Sequence, residues 1–406
     1  MKKDFLPVIL GSDENAYSDA RLLHEAYGVK PLLLCGREMT AVKYSRLLSV
    51  QVIPGFTKEE VFCRELYAVL KENREQYEKL IVIPCVDYYT ALLVRNLEKF
   101  NGLIANPLPE KELFETVYSK PSFYELCAKS GLPCPETVIV EPSERKKTGG
   151  KFPFPYPVVL KPENSMAESY VNCTFPGKQK VYFPGSPEEY LAAAAKLDAA
   201  GYTGKLVVQE YIPGGDTCAF TVNTYSDANG ILRAAACGQV LLDDPAPAMR
   251  GNNIFILSRE NEEIMEKVKL FLSETGYTGF ADIDMKKDPR SGKLLFFELN
   301  PRLGRSHMFA RASGLNMMKV MIDDVVYGIR QDPVYARDEA LYLDAPKGLL
   351  KKYVKDTELK EKAERLIKEG KYLSSRWDKG DMNLRRAFIL LRYDAGLRHA
   401  LRKYSG

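Results

Sequence analysis

Zinc-ligand chemistry has little to work with in this chain: 406 residues include three histidines, and the eight cysteines, scattered from Cys35 to Cys237, never form a C-x-x-C pair. That excludes a Cys/His cluster and a disulfide framework, and the thiols read as buried and reduced. No apolar run approaches the ~18 residues of a membrane span, and FLPVIL near the start is too short for a signal peptide, so a cytoplasmic protein is expected. No G-x-x-x-x-G-K-[ST] occurs and no G-x-G-x-x-G follows the first strand, which leaves a P-loop and a dinucleotide fold unsupported. An excess of one charge is also missing. Lys and Arg number 58 against 54 Asp and Glu, which does not suggest a nucleic-acid partner. The imbalance that exists is local: residues 331–406 carry 18 basic and 12 acidic side chains. Such a tail suits an anionic partner or a solvated helical surface.

What is present is a core-forming chain, 45% hydrophobic and long enough for two or three domains. Its first hundred residues alternate strand candidates (5–10, 31–35, 50–54, 79–84) with helix candidates (15–28, 58–74, 87–100). That alternation implies a parallel sheet covered by helices, with ligand contacts at the carboxyl ends of strands, where GSDEN (11–15) and CVDYYT (85–90) fall. Helices are expected at 110–119 and 121–130, a strand at 158–162, two strands around a turn over 171–183, and a helix over 186–200 with Ser186 as cap. Strands follow at 205–212, 218–225 and 231–242, then a helix at 259–275 and a hairpin, GFADIDMKKD with KLLFFELN. The end, 347–406, reads as helical, polar and basic.

The hairpin carries the chemistry. Asp282 and Asp284 alternate with Ile283, and Glu298 and Asn300 with Leu299, so each pair leaves one face of its strand. Paired strands bring Asp284, Glu298 and Asn300 together as oxygen ligands suited to Mg²⁺, which takes one or two carboxylates and completes its shell with water and phosphate. An amphipathic hairpin with its acids in solvent explains the alternation equally well. It does not explain Arg302 and Arg305, and an arginine just past a metal site is placed to neutralise charge on a transferred phosphoryl.

From Lys120 to His307 the chain resembles the ATP-grasp superfamily, on YSKPSFYELCAKSGLPCP, YPVVLKP, LVVQEYIPGGD and ELNPR. The resemblance implies ATP and Mg²⁺ as cofactors, Lys120 and Lys161 on phosphate oxygens, and Asp284, Glu298 and Asn300 on metal. It further implies that Gln209, Glu210, Tyr211 and Ile212 lie along the adenine edge, that Asp216 meets the ribose, and that Arg302 meets the reacting groups. A helix-start and a strand-end lysine are also ordinary surface residues, and a glycine-rich phosphate loop is missing after Lys161. With FLPVILGSDENAYSDARLLHEAYG, KYSRLLSVQVIPGF, KQKVYF and ELNPRLGRSH, the likeness extends over about 1–310 to bacterial D-aspartate ligases and their carboxylate-amine ligase relatives. These imply an α/β fold: an N-terminal Rossmann-like pre-ATP-grasp domain (1–105), an ATP-grasp small subdomain (106–204), a large metal-binding subdomain (205–330) and a basic helical C-terminal extension (331–406).

The reaction implied is amide formation through an acyl phosphate, from an acidic amino acid such as D-aspartate and the lysine side-chain amine of a nucleotide- or lipid-linked peptidoglycan precursor. Arg302 and Arg305 would be catalytic, with Ser306, Gly11, Ser12 and Asp13 near the substrate. His307 is equally a substrate contact or a structural residue. A bicarbonate-activating carboxylase or carbamoyl-phosphate-type enzyme, and a non-catalytic ATP-binding protein, remain the alternatives.

Overall fold

The computed structural model describes residues 2–163, 168–246, 249, 251–330 and 332–404. The chain opens with β1 (Lys3–Leu10), α1 (Glu14–Tyr27), β2 (Leu32–Cys35), β3 (Ser49–Val52), α2 (Glu59–Asn73), β4 (Tyr77–Pro84) and α3 (Asp87–Arg95). Its four strands form a parallel sheet in the order β3-β2-β1-β4. The order reverses between β1 and β4, so the loops after these two strands face one crevice. Local signals set the boundaries: Asp13 Oδ1 accepts from the Ala16 amide at 3.3 Å to start α1, and Gly28, at φ +64°, ends it.

Next come α4 (Lys111–Tyr118), α5 (Lys120–Lys129), β5 (Thr137–Val140), β6 (Val158–Pro162), α6 (Glu168–Val171), α7 (Pro187–Ala199) and β7 (Leu206–Glu210). The order β5-β7-β6 makes a small antiparallel sheet. Its apolar face, Val158, Leu160 and Val208, packs against Tyr190, Ala194 and Leu197 of α7. Two expectations change here. The boundary at 204 falls one strand early, because β7 is the centre of the small sheet. Residues 171–183 are turns after a short helix instead of two strands, since only Tyr182 reaches β6, in a single bridge to Leu160. Lys178 folds back instead, donating to the carbonyls of Tyr170 and Cys173.

The remainder comprises β8 (Ala219–Ser226), β9 (Leu232–Asp243), β10 (Asn253–Ser258), α8 (Glu262–Thr275), β11 (Gly279–Lys287), β12 (Leu294–Asn300), α9 (Met308–Ala312) and α10 (Met317–Val325). It ends with β13 (Val334–Tyr335), β14 (Ala340–Leu343), α11 (Gly348–Tyr353), α12 (Thr357–Lys368), β15 (Tyr372–Ser374) and α13 (Leu384–Tyr404). A large sheet runs β12-β11-β8-β9-β10-β14-β15, with β13 beside β9. The expectation of a helical tail is corrected in part: β13, β14 and β15 belong to the central sheet, where ALYL is buried and Leu373 and Ser374 are half-buried, with Tyr372 exposed at the start of β15. α8 covers one face of this sheet through Ile264, Val268 and Phe271. On the other face Met308, Phe309, Met318 and Met321 share one core with Ile9, Ala20 and Leu23 of the N-terminal domain.

Candidate active site

Between the small and large sheets lies a cleft of about 750 Å³, lined among others by Lys161, Tyr211, Asp216, Leu242, Asp284 and Glu298. This size is ordinary for a ligand cleft. The hairpin register puts Asp284 directly opposite Glu298 and Asp282 opposite Asn300. The two aspartates are not equivalent. Asp282 Oδ1 accepts from Thr221 Oγ1 at 2.7 Å and Asn223 Nδ2 at 3.3 Å, which holds it in the sheet. A Cβ at Gly304 would sit 2.5 Å from Asp282 Oδ2, so only glycine lets the following loop approach so closely. The Asp284 carboxyl makes no side-chain hydrogen bond among the described residues, and burial, with Asp282 and Glu298 nearby, pushes it well above the usual range. A carboxylate in that position calls for a cation.

No three His, Cys, Asp or Glu side chains among the described residues are arranged to hold a metal by themselves. Two facing carboxylates and an amide instead fit Mg²⁺ shared with phosphate oxygens. Both lysines lie in the field of Glu298. Lys120, first residue of α5, reaches Glu298 Oε1 at 2.7 Å. Burial works against its charge, yet Glu298 outweighs that and holds the ammonium above its ordinary value. Lys161, near the end of β6, donates to Gln209 Oε1 at 2.9 Å, and burial reinforced by the Lys120 charge pulls it down to about 8.

Along the hinge the side chains divide. Gln209 is buried and spends its amide on Lys161 and on Thr137 Oγ1, 2.9 Å away, so it positions the lysine and does not face the cleft. Glu210 turns its side chain away to Arg290 at 3.0 Å, and its amide donates to the Glu136 carbonyl at 2.9 Å. Ile212 is buried and its carbonyl already accepts from Lys286 Nζ at 3.0 Å. Tyr211 lines the cleft wall, and Asp216 Oδ2 accepts from the Asp243 amide at 3.0 Å.

Beyond β12 the chain turns into the crevice of the N-terminal domain. Arg302 Nε pairs with Asp87 Oδ1 at 2.6 Å, and Arg305 reaches Glu14 Oε2 at 3.1 Å. Asp13, at the head of α1, lies in the field of both arginines, but burial and Glu14 dominate and push it up to about 7. Gly11 adopts φ +135°, where a Cβ would lie 3.1 Å from Cys85 Cβ, and so delivers this turn. The Ser12 hydroxyl donates to the Arg37 carbonyl at 2.7 Å. Ser306 is buried under the same loop. His307 is fully buried, with Nε2 3.2 Å from Asp19 and Nδ1 2.8 Å from the Gly304 carbonyl, which gives it a structural role in fastening the loop to α1.

The residues that motif reading missed surround Glu14. Its other oxygen accepts from Arg376 Nη1 at 2.6 Å, and Arg376 is gripped from behind by Asp344 at 2.9 and 2.8 Å. Burial alone would raise the Glu14 pKa, but Arg376 and Arg305 outweigh it and hold it at about 2. Glu14 and Asp87 sat inside the two loops that strand order had pointed to; Arg376, in SSRWD, carried no signal of its own.

No protein-family model matches the chain. Among solved structures it superposes on the L-amino acid ligase from Bacillus licheniformis with a TM-score of 0.57, at 15% identity, covering 80% of this chain and 75% of that one. The N5-carboxyaminoimidazole synthetase from Staphylococcus aureus complexed with ADP gives 0.60 at 12% identity, with 84% and 82% covered. In sequence the chain is 35% identical to the D-aspartate ligase of Enterococcus faecium, over 96% of this chain and 94% of that protein. Two sheets closing on a cleft with paired lysines and carboxylates define an ATP-grasp enzyme, an ATP-dependent carboxylate-amine ligase. Within that class the chain belongs to the D-aspartate ligase family.

Proposed function

We propose that this enzyme phosphorylates the side-chain carboxylate of D-aspartate with ATP and joins it to the lysine amine of a nucleotide- or lipid-linked peptidoglycan precursor in the cytoplasm. The end-to-end match to a D-aspartate ligase carries this reading. The guanidinium groups of Arg305 and Arg376, set around Glu14 at the head of α1, support it, because a dicarboxylic zwitterion needs cationic partners for its carboxylates and an anion for its ammonium.

In this reading Asp284, Glu298 and Asn300 would hold Mg²⁺, which would supply positive charge against the phosphates of ATP. Lys120 and Lys161 bind phosphate oxygens, exchanging Glu298 and Gln209 for the nucleotide. The backbone from Glu210 to Ile212 borders the adenine and Asp216 takes the ribose hydroxyls. Arg302 stabilises the transferred phosphoryl and then the oxyanion formed when the amine attacks. Arg305 orients the amino acid, with Gly11, Asp13 and Ser306 shaping its pocket.

Hydroxamate formation tests the reading without the natural amine. Purified protein is incubated with Mg-ATP, hydroxylamine and a panel of D- and L-amino acids, and bicarbonate-dependent ATP cleavage is assayed separately. Signal with D-aspartate alone is expected. Signal with another acid would replace the substrate, and bicarbonate-dependent cleavage without hydroxamate would replace the reaction.

A further inference from the structure

α13 presents an unusual outer face. Leu384, Phe388 and Leu391 are 91%, 62% and 59% exposed, and with Ala395 they follow the three- and four-residue steps that put side chains in one row. The helix itself is firmly seated. Leu397 and Leu401 enter the core formed with Leu341, Leu350 and Leu366, and Arg386 is buried against the Ala41 carbonyl at 2.9 Å. The apolar row is therefore a fixed surface.

Its charges all have one sign. Arg385, Arg392, Arg398, Arg402 and Lys403 are exposed, whereas the helix's single acid, Asp394, is buried and accepts from Trp377 Nε1 at 3.2 Å. Two aromatic rings lie beneath these cations: Arg392 over Phe388 at 6.0 Å, and Arg385 over Tyr44, itself 48% exposed, at 5.7 Å. No helix among the described residues is long and apolar enough to cross a membrane. A basic helix with a narrow apolar row lies in an interface instead of spanning it.

We propose that α13 docks the enzyme on an anionic lipid surface, with Leu384, Phe388 and Leu391 entering the headgroup boundary and the five exposed cations meeting lipid phosphates. Charge complementarity selects this occupant. A second copy presenting the same face would oppose cation to cation along the helix, and a neutral surface would leave the cations without counter-charge. The chain passes from Arg376 at the amino-acid corner into this helix, so docking would hold that corner near the lipid.

Co-sedimentation of the full-length protein with phosphatidylcholine vesicles, with and without phosphatidylglycerol, tests the proposal. Binding is expected only with phosphatidylglycerol and should weaken with salt. The double variant Phe388→Ser, Leu391→Ser should bind about tenfold more weakly, and Arg392→Glu with Arg398→Glu should bind weakly at low salt, both with unchanged thermal unfolding. Equal binding to both vesicle types, or none to either, overturns the proposal. So does a sedimentation-velocity dimer that the Ser double variant converts to monomer, which would make a second copy the occupant.

Discussion

Arg302 sits where the two halves of the proposed chemistry meet, tied to Asp87 on one side and within reach of the acidic hairpin on the other. A group used mainly in the transition state should be dispensable for ground-state binding. Arg302→Ala is expected to leave ATP affinity nearly unchanged and to lower turnover about 10²–10³-fold, compared by calorimetry and hydroxamate assay; a parallel loss of both would assign it to binding. Lys161 makes a different prediction. With its pKa near 8 it is partly neutral at pH 8, and the phosphates of ATP should restore its full charge. Nucleotide binding at pH 8 should therefore take up protons, seen as a binding enthalpy that changes with the ionisation enthalpy of the buffer, and Lys161→Met should abolish the dependence. Asp13 bears on stability. Its folded pKa of about 7 lies above the ordinary 3.8, so the folded state binds the proton more tightly and stability falls as pH rises from about 4 to 7. Asp13→Asn mimics the neutral form. Its gain over the parent in urea unfolding should be absent near pH 4, grow to at most a few kcal/mol by pH 7 and then stay constant; a gain independent of pH would place the effect elsewhere.

Single side chains here depend on how elements meet. The β11–β12 hairpin was legible because a period of two is visible in DID and ELN, and the pairing follows from the PRSG turn between them. The parallel N-terminal sheet was legible from the alternation of apolar runs and helical spacing. What sequence could not supply were contacts between distant segments. Arg376 meets Glu14 across nearly the whole chain, and its meaning comes from α1, β14 and β15 converging. β10 went unread because NIFILS is a continuous apolar run without alternation, buried on both faces of the sheet. Gln209 was placed on the ligand side although its strand is the centre of the small sheet, which leaves its amide facing Lys161 and Thr137. If the Glu14–Arg376–Asp344 relay orients the amino-acid pocket, breaking it should separate the two substrates. Arg376→Ala should raise KM for the acidic amino acid at least about tenfold while KM for ATP stays within about twofold. Arg376→Lys should recover part of the loss; equal changes in both constants would indicate a general loss of structure.

The packing also divides the molecule into parts that can move and parts that cannot. The N-terminal domain and the large sheet share one core through Ile9, Ala20, Leu23, Met308, Phe309 and Met318, so they act as a single body. The small sheet and α7 share a core of Val158, Leu160, Val208, Tyr190 and Leu197, while Val207 on the other face of the sheet packs into the core of the large sheet, and the chain crosses to the larger body at a hinge after Glu210. At that hinge Gly214 has φ +98°, and a Cβ there would approach Cys218 Sγ to 2.7 Å, so the turn is specific to glycine. Lys161 belongs to the small part, while Asp284 and Glu298 belong to the large one, and a nucleotide lying between them gains most if the parts close. A non-hydrolysable ATP analogue with Mg²⁺ should thus slow amide exchange in β6, β7 and residues 211–215, leave β1 and β4 unaffected, and reduce the radius of gyration in solution scattering. Gly214→Ala should weaken that contraction. Protection spread evenly over both parts, with no change in radius, would mean that the cleft is already closed before the nucleotide arrives.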